Sequence, residues 1–103
     1  MQNALNFSCI EIDRAGLENP GIYVFYLKKT CIYVGSAERP LGERLKEHWR
    51  GSHNDRLSNW IKVFGKKLRV EIREVKNIDR IKSIEQGEMD RLSPLVNKVK
   101  AKR

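Results

Sequence analysis

Gly21-Ile22-Tyr23-Val24-Phe25-Tyr26-Leu27-Lys28-Lys29-Thr30-Cys31-Ile32-Tyr33-Val34-Gly35 decides the reading of this chain. Ile22 to Leu27 and Cys31 to Val34 are β-branched and aromatic runs, and Lys28-Lys29-Thr30 is a short polar connection, so the stretch predicts a β-hairpin. A loop of those three residues sets Leu27 opposite Cys31 and Phe25 opposite Tyr33. Tyr23 and Tyr33 then project from one face as diagonal neighbours, an arrangement that a one-residue slip would destroy. Both faces of the first strand are apolar, which predicts an interior strand covered on two sides. Strand tyrosines are usually core. The pair gains meaning only from what surrounds it.

The 103 residues suffice for one domain with one modest core. A net charge of +8, from 21 Lys and Arg against 13 acids, gives a positive field suited to a polyanion, with nucleic acid as the leading partner. No run of eighteen apolar residues suggests a membrane span and no apolar leader precedes a cleavage site, so the expected location is cytoplasmic. Cys9 and Cys31 lack C-x-x-C spacing and are expected to be reduced, neither a nucleophile nor a zinc ligand.

Before the hairpin, Phe7, Ile10 and Ile12 read as a short extended segment ending at Asn19-Pro20-Gly21. After it, Pro40 suits the first turn of a helix whose buried stripe is Leu41, Leu45 and Trp49, ended by Gly51. A second helix follows from about Asn54, with Leu57, Trp60, Ile61 and Phe64 on one face and Gly65 as its stop. Leu68, Val70 and Ile72 alternate with Arg69, Glu71 and Arg73, a strand with one wet face. A third helix spans about Ile78 to Leu92, stopped by Ser93-Pro94, and residues 98–103 form a basic tail. The sum is an α+β domain: a small antiparallel sheet of three strands flanked by about three helices.

The last helix carries a contradiction. Ile78, Ile81, Ile84, Met89 and Leu92 share one arc, and Glu85 points into its middle, with Glu88 inside its span. An unpaired carboxylate there costs several kcal/mol, so Glu85 should meet a cation: either Arg44, in a buried ion pair, or a metal ion. A single carboxylate with water is a common way to hold Mg²⁺ beside phosphates. On the first helix, Arg44 and His48 stand at i and i+4 and share a face. Such a pair suits phosphate binding and proton transfer, and is equally ordinary as exposed helix surface. His53, between the helices, reads as a solvent-exposed loop residue.

In order along the chain, these residues resemble the GIY-YIG nuclease superfamily. Gly21-Ile22-Tyr23 and Tyr33-Val34-Gly35 are similar to its naming motif, and Ser36-Ala37 continues it as in phage homing endonucleases. Arg44 with His48 resembles the arginine helix, Glu85 the metal-binding glutamate, and Asn97, after Ser93-Pro94-Leu95-Val96, the asparagine that closes the domain. The resemblance covers about residues 20–98 of a single domain, 1–103. Ser36 stands where repair incision subunits carry a lysine, and the stretch from Gly35 to Arg44 is slightly longer than in many members.

The resemblance implies a DNA endonuclease, in repair or recombination, that hydrolyses phosphodiester bonds with one Mg²⁺ or Mn²⁺ held by Glu85. It implies that Tyr23 acts on the attacking water with help from Tyr33 or His48, that Arg44 neutralises the phosphate, and that Asn97 orients the metal ligand or the substrate. Backbone contacts from Lys28, Lys29, Lys46, Arg50, Lys66, Lys67 and the tail are expected to supply affinity with little base readout. Specificity is then left to a protein partner, a homodimer or DNA structure. The competing expectation is a nucleic-acid-binding module of the same fold without catalysis.

Overall fold

The computed structural model describes residues 3–51 and 55–96. Its centre is the expected hairpin, β2 (Gly21–Leu27) with β3 (Thr30–Ala37), in an antiparallel sheet with β1 (Asn3–Asn6) and β4 (Leu68–Glu74). The order β1-β4-β2-β3 puts β2 between two partners, as its two apolar faces require, and leaves β3 with a free edge. Among the described residues the helices, in chain order, are α1 (Cys9–Ala15), α2 (Leu41–Gly51), α3 (Asp55–Phe64) and α4 (Ile81–Leu92).

The sheet separates two cores. Tyr23, Phe25, Ile32 and Ile72 pack on one side with Phe7, Ile12, Leu41, Leu45 and Leu57, joining α1, α2 and α3 to the sheet. Ile22, Val24, Cys31 and Val34 pack on the other side with Ile81, Ile84, Met89 and Leu92 of α4. Strand alternation produces this division directly, since Tyr23 and Phe25 must point opposite to Ile22 and Val24.

The hairpin differs from expectation at its tip and agrees where the tyrosines sit. Its loop is two residues, with Lys28 in the left-handed region (φ 57°) and Leu27 opposite Thr30. A register shift between Phe25 and Tyr26 inserts one extra residue on β3, so Phe25 still faces Tyr33 and Tyr23 faces Gly35.

Two elements depart from the sequence pattern. The lead-in is a strand and a helix. β1 pairs with β4 from Asn3 opposite Ile72 to Asn6 opposite Arg69, which makes four strands where the sequence predicts three. The segment expected to be extended is α1, N-capped by Ser8, whose Oγ accepts from the Glu11 N–H at 3.2 Å, and closed by left-handed Gly16. Phe7 and Ile12 are buried, whereas Ile10 is exposed. The third predicted helix also starts later, because Ile78–Arg80 is a 3₁₀ turn before α4. Asn97, His53 and the tail lie outside the described residues.

The loop between α1 and β2 fixes α2. Leu41 and Gly42 N–H groups donate to the Asn19 and Leu17 carbonyls at 3.0 and 2.9 Å, satisfying donors that a helix start leaves free. The helix that carries Arg44 and His48 is thereby tied to the strand that carries Tyr23. No described helix is long and apolar enough to cross a membrane.

Candidate active site

Tyr23 and His48 meet in the interior, with Tyr23 Oη 2.7 Å from His48 Nε2 and both side chains buried. The contact depends on Gly35: a Cβ at this position would come within 2.5 Å of Tyr23 Oη, so only glycine lets the phenol lie across the neighbouring strand. Tyr33 stands beside them, its ring centroid 6.2 Å from Tyr23 and 6.0 Å from His48, and it is only partly buried. The same-face placement of the two tyrosines is therefore realised.

Burial raises the Tyr23 phenol well above its ordinary range, with the neighbouring Tyr33 adding to the effect and Arg44 opposing it. Burial raises Tyr33 as well, and Glu85 adds to this, while Arg44 and a hydrogen bond from Tyr23 favour its ionised form. Both phenols hold their protons at neutral pH. The arrangement offers a chain of hydroxyl groups leading to an imidazole, and no ready phenolate.

Arg44 extends from α2 with its Nε buried and without a hydrogen-bond partner, 3.6 Å from Glu47 Oε1. The side chain is nevertheless 30% exposed and lines a cleft, so its guanidinium is a place for an anionic oxygen. Of the two partners open to Glu85, Arg44 is not the one it meets: they approach the β3 edge from opposite sides of the sheet. Glu85 on α4 instead accepts from Ser36 Oγ at 3.0 Å, and among the described residues no cation pairs with it. Its half-buried position explains how a carboxylate sits in the apolar arc, at the margin where α4 leaves the sheet.

Between these groups lies an open cleft of about 490 Å³ lined by Ser36, Glu38, Arg39, Arg44 and Lys82. Arg39 is held by Glu47 at 2.9 Å and Glu43 at 3.8 Å, so Glu47 reaches both guanidinium groups.

No protein-family model and no curated protein sequence matches this chain. Solved structures do. The N-terminal GIY-YIG endonuclease domain of UvrC from Thermotoga maritima, bound to magnesium as its catalytic divalent cation, superposes with a TM-score of 0.64 at 24% identity, over 82% of this chain and 93% of that one. A point variant of that domain with an asparagine replaced by alanine, also cation-bound, superposes with a TM-score of 0.63 at 25% identity, over 82% and 92%. The chain has the GIY-YIG endonuclease fold.

On this GIY-YIG fold the candidate site straddles the free edge of β3. Tyr23, Tyr33, Arg44 and His48 approach from the α2 side and Glu85 from the α4 side. Lys82 and Arg39 escaped the sequence reading. The available signal was spacing, since Lys82 precedes Glu85 by three residues and so shares its face. The residues expected to bind DNA do not gather at this cleft. Lys46 pairs with Asp13 of α1, and Lys28, Lys29, Lys66 and Lys67 lie at the hairpin-tip end of the sheet. Glu88 accepts from Arg91 at 2.6 Å and is not part of the cluster. Cys31 is a free, buried thiol raised by burial to about 11, which leaves it unsuited to nucleophilic attack.

Proposed function

We propose that the chain is a divalent-metal-dependent endonuclease that hydrolyses phosphodiester bonds in DNA, acting as one domain in the cytoplasm. The observation that carries this reading is a cleft lined by Arg44 and by Ser36, the hydroxyl that donates to the half-buried Glu85, together with the buried Tyr23–His48 hydrogen bond beside Tyr33. The cation-bound UvrC domains support the class of chemistry.

The donor set suits a hard cation. Among the described residues no group of three or more His, Cys, Asp or Glu side chains gathers, so a zinc-type cage is not built, and one carboxylate plus water is the usual holding of Mg²⁺ beside phosphate. Glu85 would hold Mg²⁺ or Mn²⁺, with Ser36 fixing one carboxylate oxygen, and the family resemblance gives Asn97 the role of orienting the metal ligand or the substrate. Bound there, the ion would stabilise charge on the phosphate and the leaving 3′ oxygen.

The chain's own groups supply the rest. Tyr23 is nearly inaccessible, so the more exposed Tyr33 receives the water. As the water oxygen attacks phosphorus and the P–O3′ bond breaks, the water's proton passes to Tyr33 Oη and the departing O3′ takes a proton from solvent. Tyr33 hands its own proton to Tyr23, and Tyr23 passes one to His48 Nε2. The relay removes the need for either phenol to ionise. Arg44 neutralises the nonbridging oxygens as charge develops, with Glu47 steadying its guanidinium. Lys82 and Arg39 hold neighbouring phosphates in the cleft. Sequence choice then falls to DNA structure, a partner or a second copy.

Supercoiled plasmid tests this reading. Nicking is expected with Mg²⁺ or Mn²⁺, absent in EDTA, and lost in Glu85→Ala and Tyr23→Phe. Equal nicking by Glu85→Ala would remove the metal assignment.

A further inference from the structure

The cations at the hairpin tip form a second cluster, remote from the cleft. Leu27 pairs with Leu68 across β2 and β4. Lys28-Lys29 follow the first of these residues directly and Lys66-Lys67 precede the second, so all four lysines flank a single cross-strand pair. Arg69 adjoins them, opposite Tyr26. The four lysines and Arg69 are exposed, and among the described residues none of the five forms an ion pair.

This concentration costs like-charge repulsion and does nothing for the fold, since the side chains leave both cores. The cluster is also shaped. Tyr26, Lys28, Lys29, Arg69 and Glu71 line a groove of about 310 Å³ at this end of the sheet. Burial and the neighbouring Glu71 hold the Tyr26 phenol protonated, so it is a hydroxyl donor beside these cations. One acid, Glu71, lines the groove, and it lies on the side away from Lys66 and Lys67.

We infer that this end of the sheet is a second phosphate-binding subsite, which grips the backbone of duplex DNA flanking the bond that is cut. The inference rests on the nuclease reading and adds a distance to it. Tyr23 and Lys28 are five residues apart along the chain, about 17 Å at ~3.3 Å per residue, which is about five base pairs of B-form duplex. The subsite carries affinity and register, and the cleft carries chemistry.

The test is fluorescence anisotropy in EDTA with a labelled 20-base-pair duplex across a KCl series. The probed protein is the full chain and its Lys28→Gln/Lys29→Gln/Lys66→Gln/Lys67→Gln variant, with the four-arginine equivalent as a charge-restoring control. The glutamine variant is expected to bind at least tenfold more weakly near 0.15 M salt, with its salt slope reduced by roughly 1 for each phosphate that is no longer neutralised. The arginine variant should recover both, and in plasmid nicking the weakening should appear in KM. Unchanged affinity and slope in the glutamine variant would overturn the subsite and leave the nuclease reading intact. Binding by the unaltered protein without metal-dependent nicking would instead overturn the nuclease reading alone. A glutamine variant that binds more weakly while the arginine variant fails to restore affinity would also overturn the subsite, since charge would not be the cause.

Discussion

Replacing Gly35 by alanine probes the packing on which the site depends. The new methyl would lie 2.5 Å from Tyr23 Oη and 2.7 Å from Cε1, against a carbon contact distance of about 3.5 Å, so the ring must retreat by about 1 Å. It has little room to do so, with Phe25, Tyr33 and His48 ring centroids at 5.8, 6.2 and 5.4 Å. Overpacking of this kind costs about 1–3 kcal/mol, and loss of the Tyr23–His48 bond adds about 0.5–1.5 kcal/mol. The sum, about 1.5–4.5 kcal/mol, lowers the midpoint of thermal unfolding by roughly 7–21 °C in a chain of this size. A 1 Å displacement of the relay should also slow single-turnover nicking by about 10²-fold. Gly87→Ala is the matched control, since nothing lies within 4 Å of a Cβ there and α4 should gain about 0.5–1 kcal/mol. A Gly35→Ala protein as stable and as active as the parent would refute the claim that this glycine seats the tyrosine.

Tyr23→Phe keeps the ring and removes the hydroxyl bonded to His48, so stability should fall by about 0.5–1.5 kcal/mol in urea unfolding while nicking falls by 10²-fold or more as a rough scale. Arg44→Lys retains the charge and loses the planar fork, and should raise KM and lower the rate by about tenfold or more in plasmid kinetics. Alkali should weaken the fold. Burial raises Cys31 from 9.0 to about 11 and lifts Tyr23, Tyr26 and Tyr33 above 10.0. The native state therefore keeps protons that the unfolded chain releases, so stability is intact below pH 9 and declines as pH climbs through 11. Urea midpoints from pH 8 to 11 should show this decline, with its first part missing in Cys31→Ala. A flat profile would contradict the assignment.

What the sequence disclosed follows from where local signals are strong. Tyr23 opposite Gly35 was legible because strand alternation and an apolar double face leave little freedom, and the register survives a turn shorter than the sequence predicts because a bulge absorbs the difference. β1 carries no such signal. Asn3-Ala4-Leu5-Asn6 has neither β-branched residues nor alternation, and its pairing with β4 spans more than sixty positions, so it is fixed by tertiary contact alone. α1 does have a local marker: Ser8-Cys9-Ile10-Glu11 is a capping-box sequence, and its apolar residues are too few to display helical periodicity.

The site shows the same division. Glu85 stands out as a charge in an apolar arc, yet whether it meets Arg44 depends on which face of the sheet each helix covers, a property that no spacing encodes. The depth of His48 is equally hidden, since on α2 alone it reads as exposed surface and it becomes buried only when Tyr23 and Phe25 close over it. Arg39 and Lys82 join the cleft through loop geometry and helix placement, and composition gives no reason to prefer them over other cations.

Cleavage by Glu85→Gln tests the central claim most directly. Glutamine keeps the volume and an oxygen to accept from Ser36, and removes only the charge proposed to hold the cation. Single-turnover cleavage of a labelled duplex in Mg²⁺ should fall by 10²-fold or more as a rough scale, with duplex affinity in EDTA and unfolding midpoint unchanged. Cleavage at the parent rate would contradict the account.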